Sequence, residues 1–333
     1  MSLRVLSAGP AVTIQDMGRP GHMAWGLSRG GAADRTALHE GAALLGHAPD
    51  RAAVEMMGFG GTFQATAPTV IALTGAPMQA AVDGAALAWN ASHRIEAGQT
   101  LAIGAAAKGV FGYLHLGGGV TGEPFLGSLS THAGAGIGRP LGEGDVIEGA
   151  GGGRAGMGIE PEPRLGGGTL RVLPGPQTGR FSGADRARFE ATAFLRDRRG
   201  NRQGARFEPE GGTSFFAEGG LTVLSEVIVP GDIQVTGEGA PYVLLAECQT
   251  TGGYPRIGAV HPADLPRAAQ AAPGDTVRFA FVTPEEGLAL HRAEVKWLAG
   301  LPKRAAPRIR DPRDVNLLTY DLIGGVVDAT EDT

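Results

Sequence analysis

The chain has 333 residues, with 56 Gly and 22 Pro, a hydrophobic content of 42%, one cysteine and a formal net charge of -5. That much Gly and Pro without a three-residue period excludes collagen and argues against a helical bundle, while the apolar content suffices for a sizeable core. The acidic balance excludes nucleic-acid binding by bulk electrostatics, the lone cysteine excludes an intramolecular disulfide, and no apolar run reaches the roughly 18 residues that span a bilayer.

The opening MSLRVLSAGPAV has no apolar signal region, so a cytoplasmic protein is expected. Leu3–Leu6 reads as the first of many short strands. Next, Thr13-Ile-Gln-Asp16-Met-Gly-Arg19-Pro-Gly21 crowds charge and glycine into a loop. Asp16 and Arg19 either pair locally to shape that loop or present a base and an anion-binding fork. Gly26-Leu-Ser28-Arg-Gly30 matches the G-x-S-x-G nucleophile elbow. An elbow needs a strand, a sharp turn and an immediate helix; Gly30-Gly31 follows instead, so no nucleophile is expected here. Asp34–Gly46 reads as a helix with Asp34 as cap, Leu38, Leu44 and Leu45 on its apolar face and Gly46 at its end.

Strand-like runs follow at Val70–Thr74, Gln79–Val82, Leu101–Ile103 and Val110–Leu116, each bounded by Gly, Pro or Asp. Gly117-Gly-Gly119-Val-Thr-Gly122 matches G-x-G-x-x-G, but no helix follows to hold a pyrophosphate. Pro124-Phe-Leu-Gly-Ser128-Leu-Ser130-Thr131 is a second dense run of hydroxyl groups. Gly149–Gly168 has almost no core-forming residues and reads as a linker or mobile loop.

Beyond it come strands at Leu170–Leu173, Leu221–Ile228, Tyr242–Ala246 and Val277–Val282, and helices at Pro262–Gln270 and Pro284–Leu298. A turn of Gly followed by Asp or Gln feeds a strand at Ile95–Ile103, Leu141–Ile147 and Ala272–Phe279, which fits entry into barrel strands. After the strand Tyr242–Ala246 stands Gln249-Thr250-Thr251-Gly252-Gly253-Tyr254-Pro255-Arg256. Gln and two Thr offer donors and acceptors, the glycines let a ligand approach backbone N–H groups, and Arg256 adds positive charge. A tight turn capped by Tyr254 explains the same residues equally well. The eight His form no H-x-H or H-E-x-x-H pair, so no metal site is expected; no P-loop and no Met-Lys-Met biotin acceptor occur. The fold class expected is mainly β with few short helices: a β-barrel-like domain over 1–150, a second over 169–300, and a tail over 301–333.

Together the ordered segments T-x-Q-D-x-G-R-x-G, L-G-S-x-S-T, V-L-P-G-P-Q at Val172–Gln177 and Q-T-T-G-G-Y-P resemble the biotin-dependent carboxyltransferase family, also called allophanate hydrolase subunit 2. The resemblance covers about residues 3–285. It implies tandem β-barrels, the C-terminal one cyclophilin-like, and a partner like allophanate hydrolase subunit 1 that helps build the substrate site. Stand-alone members resemble a component of the ATP-dependent enzyme that opens 5-oxoproline to glutamate. Fused members move carboxyl groups from carboxybiotin to urea, and a further member antagonises a kinase-inhibitor protein without catalysis.

The reading that follows is a subunit of an ATP-dependent hydrolase of a small amide or lactam. Carboxyl transfer to urea, with biotin on a separate carrier, and the non-enzymatic antagonist are the alternatives. Asp16, Arg19, Thr250 and Thr251 become catalytic candidates. Gln249, Gly252, Gly253, Tyr254, Ser128, Ser130, Thr131 and Arg202 become substrate-binding candidates. Arg139 and Arg256 are the nucleotide candidates, with ATP bound here or with the partner. Two departures bear on substrate: Glu247-Cys248 stands where the family often has Asp-Arg, and Asn201 where it often has Asp.

Overall fold

The computed structural model describes residues 1–308 apart from 219, 221 and 222. The first strands build two sheets. One runs Val146–Glu148, Ser2–Ala8, Phe59–Ala65, Thr100–Ala106, Met78–Val82, Ala85–Ala86. The other runs Val12–Gln15, Ala53–Met57, Phe111–Leu116, Thr69–Gly75, Ala91–Ile95, Met157–Gly158, Ala306–Pro307. Both are antiparallel, and their facing side chains share one core containing Leu3, Val5, Phe63 and Ile103 with Val54, Ile71, Leu73 and Leu114. This is a barrel-like sandwich, with alternate residues turned inward.

The strands from 168 to 281 close a seven-stranded barrel: Gly168–Leu173, Arg256–Val260, Asp232–Val235, Pro241–Leu244, Gly204–Pro209, Phe194–Gly200 and Thr276–Phe281. The ring shuts through parallel pairing of Thr276–Phe281 with Gly168–Leu173. Phe189, Phe194, Phe207, Phe215 and Phe279 are buried, with ring centroids 4.8 to 6.0 Å apart. Each such ring contributes roughly 1.5–3 kcal/mol of burial, so the barrel is filled rather than a channel. The mainly β architecture and the C-terminal barrel expected from the sequence are both present.

Among the described residues, four α-helices serve as covers. The first, α1 (Arg35–Leu45), starts where the Asp34 carboxylate accepts from Ala37 N and stops at Gly46, φ +80°. Helix α2 (Gly183–Ala191) carries Phe189 into the barrel, and α3 (Leu265–Gln270) continues a 3-10 turn at Pro262–Asp264. Helix α4 (Pro284–Arg304) opens with a capping box between Thr283 and Glu286 and packs on α1 through Trp297, Leu298 and Leu301.

Three expectations change. Only Glu226–Val227 of the run Leu221–Ile228 is strand, paired with Thr251–Gly252; residues 221 and 222 lie outside the described residues. Segment 149–168 is pinned by Arg164, which is buried against Asp34 and Glu40. Of the tail expected from 301, residues 301–304 complete α4 and Ala306–Pro307 pair with Met157–Gly158; residues 309–333 lie outside the described residues.

Candidate functional site

The strand Val12–Gln15 delivers Asp16 into a turn that the 117–145 loop covers. The Asp16 carboxylate accepts from Gly18 N at 2.7 Å, Ser128 Oγ at 2.6 Å, Leu129 N at 2.7 Å and the Ser130 hydroxyl. Four donors occupy the lone-pair directions of a carboxylate, so Asp16 organises both loops. Arg19 is fully buried and donates to the carbonyls of Ser130 and Phe125. Its Nη1 is buried without a hydrogen-bond partner. Burial lowers the Arg19 pKa, opposed by the charges of Asp16 and Glu247. Thr131 is held by backbone bonds, its N–H to Ile14 O and its carbonyl to Gln15 Nε2. Asp16, Arg19, Ser128, Ser130 and Thr131 thus meet in one cluster.

This cluster presents the next residue, His132. Its Nε2 lies 2.8 Å from Ser28 Oγ. Its Nδ1 faces Glu247 Oε2 at 3.9 Å. Glu247 follows the strand Pro241–Leu244 and is fixed by Arg202, whose Nε donates to Oε1 at 2.6 Å. The same guanidinium donates to Gly31 O and pairs with Glu55. Burial opposes the charge on Arg202, but Glu55 and Glu247 outweigh it and hold its pKa above the ordinary value. Burial lowers the His132 pKa, partly offset by the charge of Glu247, and so favours the neutral imidazole.

Ser28, His132, Gln203, Glu247, Cys248, Gln249, Thr250 and Thr251 line one open cavity of about 430 Å³. Its size and polar lining suit a small amide. The sequence-expected Gln249, Thr250 and Thr251 are on this wall; Gly252, Gly253 and Tyr254 lie beyond it. A Cβ on Gly252 would meet the side-chain ends Gln234 Nε2 at 2.6 Å and Ile228 Cδ1 at 3.0 Å, so this glycine faces side chains. Arg256 is engaged with Glu226 at 2.7 Å and Asp232 at 3.0 Å. Arg139 forms a two-pronged, exposed pair with Asp145. Neither guanidinium reaches the cavity lining. The preceding residues, Leu245 and Ala246, line a second cavity of about 350 Å³ that is mostly apolar but includes Arg29 and Arg35. The hydroxyl–imidazole pair makes the first cavity the better seat for bond-breaking chemistry. Among the described residues, no three His, Cys, Asp or Glu side chains converge in a metal-ligand group.

Ser28, His132 and Glu247 are absent from the catalytic and binding candidates read from the sequence. Ser28 carried a motif whose helix was missing. Glu247 stands out in the sequence only as a departure from the family pattern, and His132 carries no local signal, because the Ser28–His132 contact spans 104 positions.

The sequence matches the carboxyltransferase domain, subdomains A and B, over residues 25–281. The chain belongs to this carboxyltransferase family. Two relatives, both components of 5-oxoprolinase, are similar over nearly their whole length. The one from Haemophilus influenzae is 33% identical over 88% of this chain and 96% of that protein. The one from Escherichia coli is 32% identical over 91% and 98%. The crystal structure of TTHA0988 superposes with a TM-score of 0.75 at 31% identity, covering 84% of this chain and 55% of that one. Kluyveromyces lactis urea carboxylase superposes at 0.79 and 22% identity over 93% of this chain and 31% of that one, a likeness of fold. The family membership expected from the ordered motifs is thereby established.

Proposed function

We propose that this carboxyltransferase-family chain is one subunit of an ATP-dependent lactam hydrolase that opens 5-oxoproline to glutamate, assembled with a chain like allophanate hydrolase subunit 1. The observation that carries this reading is the end-to-end similarity to two proteins named as subunits of 5-oxoprolinase, at 33% and 32% identity. The polar cavity supports it: Gln249, Thr250 and Thr251 offer amide and hydroxyl groups to a lactam N–H and carbonyl, in the same cavity as the His132 imidazole.

A partner also fits the surface. Trp25 precedes the cavity residue Gly26, Phe125 and Leu126 sit on the loop above Arg19, and Val227 pairs with Thr251; all four side chains are exposed. Apolar side chains framing a polar cleft mark a surface that another protein covers. An affinity pull-down of this chain, with the assembly assayed for glutamate and ADP, tests the reading. The expected result is a subunit 1-like partner and ATP hydrolysis that depends on 5-oxoproline. An assembly holding that partner yet inert towards 5-oxoproline and ATP overturns it.

The family match itself favours a second reading, carboxyl transfer, and urea amidolyase of Lachancea kluyveri is 26% identical over 84% of this chain. A biotinylated carrier in the pull-down, with carboxylation of urea, is its signature.

A further inference from the structure

Three segments far apart in sequence bring Ser28, His132 and Glu247 to one cavity wall. Ser28 Oγ and His132 Nε2 are 2.8 Å apart. His132 Nδ1 is buried, makes no hydrogen bond, and faces Glu247 Oε2 at 3.9 Å. An imidazole whose Nδ1 proton points at a carboxylate leaves Nε2 free to accept from a hydroxyl. Arg202 holds the other Glu247 oxygen, so the carboxylate is fixed as an orienting group. These are the three roles of an activated nucleophile: hydroxyl, base and orienter, a constellation recognised by geometry and not by position in the sequence.

We propose that Ser28 is a covalent nucleophile towards activated carbonyl groups, with His132 as its general base and Glu247 positioning the imidazole. Ser28 Oγ bonds to the carbonyl carbon while its proton passes to His132 Nε2. The carbonyl carbon's bond to nitrogen or oxygen then breaks, and His132 returns that proton to the departing group. Water, deprotonated by His132, attacks the seryl ester; the carboxylate product leaves and the Ser28 hydroxyl is restored. The step needs no nucleotide and no partner, so it stands or falls separately from the 5-oxoproline reading.

The alternative role for the Ser28–His132 bond is a clamp between the 26–31 and 117–145 loops. The full chain, treated with diisopropyl fluorophosphate and digested for mass spectrometry, separates the two. The expected result is a single phosphoryl adduct on Ser28, absent in Ser28→Ala, with p-nitrophenyl acetate hydrolysis lost in parallel. His132→Gln should slow labelling by about a hundredfold or more, and the native rate should fall with pH as one imidazole protonates, below the ordinary histidine range. Melting curves accompany each variant. Should His132→Gln not fold, Ser28→Cys takes its place: a thiol beside the imidazole should be alkylated by iodoacetamide far faster than a free thiol at pH 6. No adduct on Ser28 in the native chain overturns the proposal. So does undiminished labelling in a folded His132→Gln, or sluggish alkylation of the Ser28→Cys thiol.

Discussion

At the scale of single residues, burial sets the chemistry of two groups outside the proposed step. His115 is fully enclosed under α1, with Nε2 2.7 Å from Thr74 Oγ1, and a Cβ on Gly41 would collide with its ring. Burial pushes its pKa down to about 3, with His47 adding in the same direction. The folded state therefore prefers the neutral ring, and unfolding takes up a proton. Stability from this group is complete above its unfolded pKa of about 6.5 and falls as pH drops towards about 3, by roughly 1.4 kcal/mol per pH unit. Urea midpoints at pH 7.5 and pH 5 should differ in that direction, and His115→Gln should flatten the dependence. Cys248 is pushed the other way: burial, then the charge of Asp232, raises its thiol to about 12. Iodoacetamide at pH 8 should leave the native chain unmodified and label Cys248 only in urea; fast native alkylation would contradict this burial.

The residue scale also shows what sequence can locate. Asp16, Ser128 and Ser130 stood out as charge and hydroxyl crowded beside glycine, and they do meet. Arg139 and Arg256 stood out for charge alone, and each is taken up by carboxylates that no spacing rule foretold. Ser28, His132 and Glu247 converge only through tertiary structure, and their cavity could not be read from any one segment.

At the scale of elements, end chemistry was legible where it is local. Asp34 and Gly46 bracket α1, and Thr283 with Pro284 opens α4, because caps act within a few residues. The strand Phe194–Gly200, sequence FLRDRRG, carries no strand signal in the sequence because four of its seven residues are charged and one of them, Arg196, is buried while Leu195 is exposed. Helix α2 escaped because Phe189 is its only buried side chain. The 16–19 and 28–31 loops interlock through the Arg19 N–H to Arg29 O bond and through Arg29 Nε, which donates to Met17 O. Gly18 and Gly31 have φ of +78° and +84°, and a Cβ on Gly31 would lie 2.7 Å from Gly18 N and 2.9 Å from Asp16 O. Gly31→Ala should destabilise the protein by about 1–3 kcal/mol, as strain plus loss of the close approach. It should also displace Arg202, which donates to Gly31 O, and so loosen Glu247. A denaturant titration reads the first effect. Slower labelling of Ser28 in the same variant reads the second.

At the scale of the molecule, the sequence suggests two bodies joined by a glycine-rich stretch, because composition shows where core residues are scarce and not whether the chain there is anchored. The side chains argue for one body. Ala37, Leu38, Phe111 and Tyr113 of the first half share an apolar cluster with the barrel interior. Arg164, within the glycine-rich stretch, is locked to Asp34 and Glu40. Gln270 of α3 is fully buried across the junction. Its Nε2 donates to Asp34 Oδ2 and Phe111 O, both at 2.8 Å, and its Oε1 accepts from Val110 N and Phe111 N. Those two N–H groups have their partner across the domain line, whereas Phe111 O also accepts from Ala76 N in its own half, and a buried polar group stripped of its partner costs roughly 1–3 kcal/mol. Neither half can therefore unfold without exposing the shared core, and unfolding of the barrel also orphans Val110 N and Phe111 N of the first half. Calorimetry should give a single transition whose calorimetric and van 't Hoff enthalpies agree. Gln270→Leu, which keeps the bulk but removes all four bonds, should lower the melting temperature of that single transition. Two resolved transitions in the native chain would show the barrel and the sandwich to be thermodynamically separate. Two transitions in Gln270→Leu alone would identify this one amide as the bond that couples them.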